Sequence, residues 1–192
     1  CGVLVIFSKK KKLDKNKCLI ASKEIYNRGP DNFQFSLHKN KTLFIANTVL
    51  SITGNENILT KHLRKSLNKK YEITFNGEIY NYKSLKKKYL SFSKYEKEMN
   101  DTDVLINLYE QLESKKIPTL LNGMFAYVVF DKIKDKLIIV NDVQGEKNFY
   151  KYEDDDYLII SSNIKSILKF NSKIELNLNT VKDYFKTRHF MP

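Results

Sequence analysis

The first residue is a cysteine, so a thiol and an α-amine share one residue. A free thiol ionises near pH ~8.5 and an α-amine near ~8, both close to neutrality. Covalent geometry holds the pair together, so nucleophile and general base need no histidine. The other reading of a starting cysteine is an accident of where the chain was cut. Three more polar clusters stand where elements break: "RGPD" at 28–31, "NGE" at 76–78 and "DTD" at 101–103. Alone, each is ordinary. Asn-Gly is a turn pair, and Asp-Thr-Asp before an apolar helix is a cap. His38, His62 and His189 have no metal-ligand spacing with Cys1 or Cys18. Two cysteines make no disulfide framework, and Cys18, among apolar residues, reads as a small core residue.

Such residues must be positioned by elements around them. "GVLVIF" (2–7) predicts a buried strand, and residues from about Cys18 to Asn27 a helix, with Gly29 as a left-handed cap and Pro30 as a stop. "FQFSLH" and "TLFIANTVLSI" predict paired strands about a "KNK" turn. "YEITFNGEIY" predicts a strand running into a break at Asn76-Gly77. "NYKSLKKKYL" predicts a short helix, and "DTDVLINLYEQL" a longer one capped by Asp101 or Thr102, with Val104, Leu105, Leu108 and Leu112 on its apolar face. "MFAYVVF", "KLIIVND", "NFYKY" and "YLIISS" predict antiparallel strands, and helices near 163–170 and 179–187 follow. Strands apolar throughout need cover on both faces, so the expected fold is α+β, a four-layer αββα sandwich of two antiparallel sheets between helices.

Totals narrow the function class. The 192 residues suit one domain, and 42% hydrophobic with 12% aromatic content excludes a disordered chain. No apolar run approaches the roughly 20 residues that span a bilayer, and the lysines follow the first apolar run where a secretory signal would place them before it. The expectation is a cytoplasmic protein without a membrane partner. The net charge of +12 comes almost wholly from lysine, with only Arg28, Arg64 and Arg188 as arginines, and it is spread along the chain. Nucleic-acid readers favour arginine's planar fork, so the charge reads as a solvated surface and no nucleic-acid partner is expected.

Taken together, the clusters resemble the class II glutamine amidotransferases, and most of all the N-terminal glutaminase domain of glutamine-dependent asparagine synthetases. The resemblance is carried by "CGV" at the start, "NRGPD" at 27–31, "LSI" at 50–52 and "FNGEIYNY" at 75–82. "DTDVLINLYE" at 101–110, "LNGMFAYVVFD" at 121–131, "NDVQGEKNFY" at 141–150 and "IISSNIKSIL" at 159–168 extend it along nearly the whole chain. The resemblance implies an N-terminal-nucleophile hydrolase fold in which Cys1 attacks the side-chain amide of L-glutamine. Asn76 and Gly77 would hold the oxyanion, Glu78 and Asp101 the substrate ammonium, and Leu50, Ile52 and Arg28 would complete substrate binding. No metal and no cofactor is implied in this chain. ATP and magnesium would belong to a synthetase domain whose Ser-Gly-Gly-x-Asp-Ser loop does not occur here.

One position departs from the family pattern. The usual His-x-Arg before "LSI" reads Asn47-Thr48-Val49, and valine cannot grip the substrate carboxylate that the arginine holds. Arg28 or a nearby lysine would replace it, or the substrate would lack a free carboxylate, or the site has decayed. The implied partner is a synthetase domain or subunit receiving ammonia, the C-terminal ~20 residues resembling the start of its linker; oligomerisation is left open. The alternative is a non-catalytic docking module of the same fold.

Overall fold

The computed structural model describes residues 1–38, 40–50, 63–91, 98–172 and 175–189. Among them the strands are β1 (Gly2–Ser8), β2 (Asn32–Leu37), β3 (Leu43–Val49), β4 (Arg64–Lys65), β5 (Tyr71–Ile79), β6 (Gly123–Asp131), β7 (Lys136–Asn141), β8 (Tyr150–Glu153) and β9 (Tyr157–Ser161). The helices are α1 (Lys15–Ser22), α2 (Tyr82–Tyr89), α3 (Asp101–Gln111), α4 (Ile117–Leu120), α5 (Ile164–Phe170) and α6 (Leu178–Thr187). One sheet runs β2-β3-β1-β9-β8 and the other β4-β5-β6-β7, with every named pair antiparallel. β4 and α4 had no counterpart in the sequence pattern, each being too short for a period to register.

Three apolar clusters define the layers. Leu4, Ile6, Phe44, Ala46 and Ile159 meet Cys18, Ala21, Ile25, Ile167 and Phe170 beneath α1 and α5. Val3, Val5, Ile45 and Ile160 meet Val128 and Phe130 between the two sheets. Phe75, Tyr127 and Val129 meet Val104, Leu105 and Leu108 beneath α3. Side chains alternate across a strand, so β1 sends Leu4 and Ile6 to the helices and Val3 and Val5 to the opposite sheet. The result is the expected helix–sheet–sheet–helix stack.

Two boundaries differ from expectation. The first helix starts at Lys15, where the Asp14 carboxylate accepts from the Asn16 and Lys17 amides at 2.8 and 3.2 Å, and it tightens into 3₁₀ turns over Lys23–Arg28. Gly29 is not a left-handed cap. Its φ of −174° is extended, and glycine is required because a Cβ there would lie 2.5 Å from the Val49 backbone. The segment "RGP" thus runs hard against the end of β3, and Pro30 bridges Val49.

Candidate functional site

Cys1 is half-buried ahead of β1, and its neighbours are fixed by backbone bonds. The Val3 amide donates to Ser162 Oγ at 2.9 Å, and the Ser162 amide donates to the Val3 carbonyl at 3.0 Å. The Arg28 Nε donates to the Cys1 carbonyl at 3.2 Å. Burial, then the charges of Arg28 and Lys147, lower the Cys1 amine to about 6. Near pH 7 the amine is therefore mostly neutral and free to accept a proton. Continuing the alternation of Val3 and Val5 places Cys1 on the side of β1 that faces the second sheet.

Across that gap lies β5. Its Thr74 hydroxyl donates to Asn47 Oδ1 of β3 at 2.9 Å, so the Thr74 side of β5 faces the first sheet, and Asn76 shares that side. Asn76 is 4% exposed, and its Nδ2 has no hydrogen-bond partner among the described residues. A buried amide left unpaired costs about 1–3 kcal/mol, so this atom has a hydrogen bond to give to a ligand acceptor placed beside it. The expected break at Asn76-Gly77 does not occur. Pairing continues through Gly77↔Phe125 to Ile79↔Gly123, and Gly77 stays in the strand with φ +143°. A Cβ there would fall 2.1 Å from the Met124 carbonyl oxygen and 2.6 Å from Phe125 Cα. Gly77→Ala should therefore lower stability by about 2–5 kcal/mol, read as a fall of roughly 10 °C in Tm. An unchanged Tm would show that β5 tolerates the methyl group.

The acidic pair comes from two elements. Glu78 is exposed next to Gly77, and Asp101 opens α3. The Asp101 carboxylate accepts from the Ile79 amide at 3.1 Å and the Thr102 amide at 2.7 Å. Burial raises the Asp101 pKa, and the Glu78 charge raises it further, while the amide bonds oppose both. Among the described residues no lysine or arginine pairs with either acid, so the pair is available to a small cation. Asp101 is not the cap that the sequence suggested. Asn100 caps α3 in a capping box with Asp103, which in turn pairs with Arg64 at 2.9 Å, freeing Asp101 for the end of β5.

The remaining expected positions divide. Arg28 reaches Cys1 as described. Leu50 is 45% exposed just past β3, and Ile52 lies outside the described residues. Val49 is buried and uncharged. Sequence reasoning missed Lys147. The Asp142 carboxylate accepts from the Phe125, Glu146 and Lys147 amides at 3.2, 2.9 and 3.0 Å, winding "DVQGEK" into a fixed turn whose lysine acts on the Cys1 amine. Among the described residues no group of three or more His, Cys, Asp or Glu is arranged to hold a metal.

The family profile described as "Glutamine amidotransferase domain" matches residues 1–192. The chain belongs to this glutamine amidotransferase family. This amidotransferase domain is 25% identical over 202 residues to the asparagine synthetase [glutamine-hydrolyzing] of Rattus norvegicus, covering 100% of this chain and 32% of the relative. It is 26% identical over 182 residues to that of Gallus gallus, covering 92% of this chain and 31% of the relative. The amidotransferase domain thus spans under a third of these relatives' length. The glutamine PRPP amidotransferase of B. subtilis, complexed with ADP and GMP, superposes with a TM-score of 0.72 at 16% identity, over 88% of this chain and 43% of that chain. That likeness establishes the N-terminal-nucleophile hydrolase fold. Among the described residues, no helix of the amidotransferase domain is long and apolar enough to cross a membrane.

Proposed function

We propose that this domain hydrolyses the side-chain amide of L-glutamine to glutamate and ammonia. The Cys1 thiol gives its proton to the Cys1 amine and attacks the amide carbon. The oxyanion is held by Asn76 Nδ2 and the Gly77 amide. The amine returns the proton to the departing nitrogen, ammonia leaves, and a γ-glutamyl thioester remains. Water, deprotonated by the same amine, then releases glutamate and restores the thiol. Glu78 and Asp101 hold the substrate ammonium, and Leu50 and Ile52 line the pocket. Arg28 and Lys147 supply the positive charge that Val49 cannot. One domain, residues 1–192, performs this step, and ammonia passes to an asparagine-synthetase-like domain or partner, in a cytoplasm that keeps the thiol reduced.

The reading rests above all on the buried, unpartnered Asn76 Nδ2, one residue beyond the point where β5 is tied to Cys1's own strand. Its test is glutamine hydrolysis followed as equal ammonia and glutamate release across pH, with labelling of Cys1 by a glutamine-mimicking electrophile. The amine works only when neutral, so kcat/KM should fall below pH 6 or thereabouts. Lys147→Met removes a positive neighbour, favours the protonated amine and should move that acid limb upward. A limb that stays put excludes the amine as base. Absence of both turnover and labelling leaves a non-catalytic docking module of the same fold.

A further inference from the structure

Asn47 lies in β3, 1% exposed, and every hydrogen-bonding position of its amide is used. Nδ2 donates to the Gly2 carbonyl at 3.0 Å and to the Thr48 carbonyl at 2.9 Å. Oδ1 accepts from the Thr74 hydroxyl at 2.9 Å and the Phe75 amide at 3.1 Å. Gly2 follows Cys1, and Phe75 precedes Asn76. A single planar amide thus joins the residue after the thiol to the residue before the unpartnered Nδ2, across two sheets. Next to it the inter-sheet contact is apolar, through Val3, Val5, Ile45, Val128, Phe130 and Ile160, and a further side-chain bond between the sheets, from the Ser36 hydroxyl to Glu72, lies further along β5, away from Asn76. Apolar contacts of that kind are non-directional and set no register by themselves. The amide does, because its donor and acceptor are held by covalent geometry.

We infer that Asn47 is a positioning residue that sets the spacing between the Cys1 thiol and the Asn76 amide. The inference rests on the proposed hydrolysis, because that spacing matters only if an oxyanion forms between them. The task needs a donor and an acceptor at once. Aspartate has the same shape and cannot donate to Gly2. Leucine does neither. Neutral histidine offers one donor and one acceptor, enough to span Gly2 and Phe75.

The experiment compares Asn47→Asp, Asn47→Leu and Asn47→His with the native chain in four readouts: kcat, KM for glutamine, the rate of Cys1 alkylation by iodoacetamide, and Tm. Alkylation builds no oxyanion, and Cys18 stays silent because it is fully buried with its thiol pushed up to about 12 by burial and the Asp14 charge. A misplacement on the order of 1 Å costs about 10²-fold in rate. Asn47→Asp and Asn47→Leu should therefore lose ~10²-fold in kcat while KM and alkylation stay within about threefold, and Asn47→His should recover most of the loss. If the aspartate chain does not fold, the ratio between the histidine and leucine variants carries the decision. Unchanged kcat overturns the inference. So does a parallel fall of kcat, alkylation and Tm, which would make Asn47 a fold-holding residue only. A native chain that does not hydrolyse glutamine overturns the proposed function first, and this inference with it.

Discussion

Cys1→Ala should leave glutamine hydrolysis at background, a loss on the order of 10⁴-fold or more, with Tm unchanged within about 2 °C. The activity loss follows from the chemistry: no other described thiol or activated hydroxyl stands at the facing strands, and removing the nucleophile of a covalent mechanism removes the mechanism. The unchanged stability follows from the geometry. The bonds that seat the N-terminal strand involve the backbone of Gly2 and Val3 and the carbonyl of Cys1, none of which the substitution touches. The α-amine also survives, so a variant with residual turnover would point to water activated directly by that amine. The measurement is ammonia and glutamate release at pH 7.5 beside a thermal melt. Turnover within tenfold of native would sink the thioester.

Asn76→Ala should lower kcat by about 10²–10³-fold while KM moves little, the usual consequence of deleting one oxyanion donor. Its effect on stability has the opposite sign from that of most core truncations. Nδ2 is buried with nothing among the described residues to donate to, so the native fold carries a penalty of roughly 1–3 kcal/mol there. Removing the amide relieves it, offset by a small cavity, and Tm should hold or rise. A chain that is inactive, still alkylated at Cys1 and at least as stable as native is the signature of a group kept for the transition state. A Tm fall of more than about 5 °C would show instead that Asn76 supports the fold.

Much of the layered fold was legible because the strands and helices have strong periods. What the periods could not tell is which face of a strand goes where. "GVLVIF" is buried on both sides, so its apolar run hides the alternation that sends Leu4 to the helices and Val3 to the second sheet. Asn76-Gly77 reads as a turn from local chemistry, and only the register with Ala126 and Phe125, about fifty positions later, keeps it in a strand. Asp101 and Asn100 are equally good caps by composition, and the choice falls to Asn100 because Asp101 is occupied with the Ile79 amide. Asn47 was visible as a departure at its position, but its task depends on strands 28 residues apart and could not be read from neighbours.

The strand that follows Cys1 lies in the middle of its sheet, between β3 and β9, and Leu4 pairs with Ser161. A long loop must close before that pairing forms, and long-range closures come late in folding. On a growing polypeptide β1 is thus made well before β9, the neighbour that completes its place in the sheet. Under the proposed hydrolysis, a domain that has not yet paired β1 with β9 would be an incomplete catalyst.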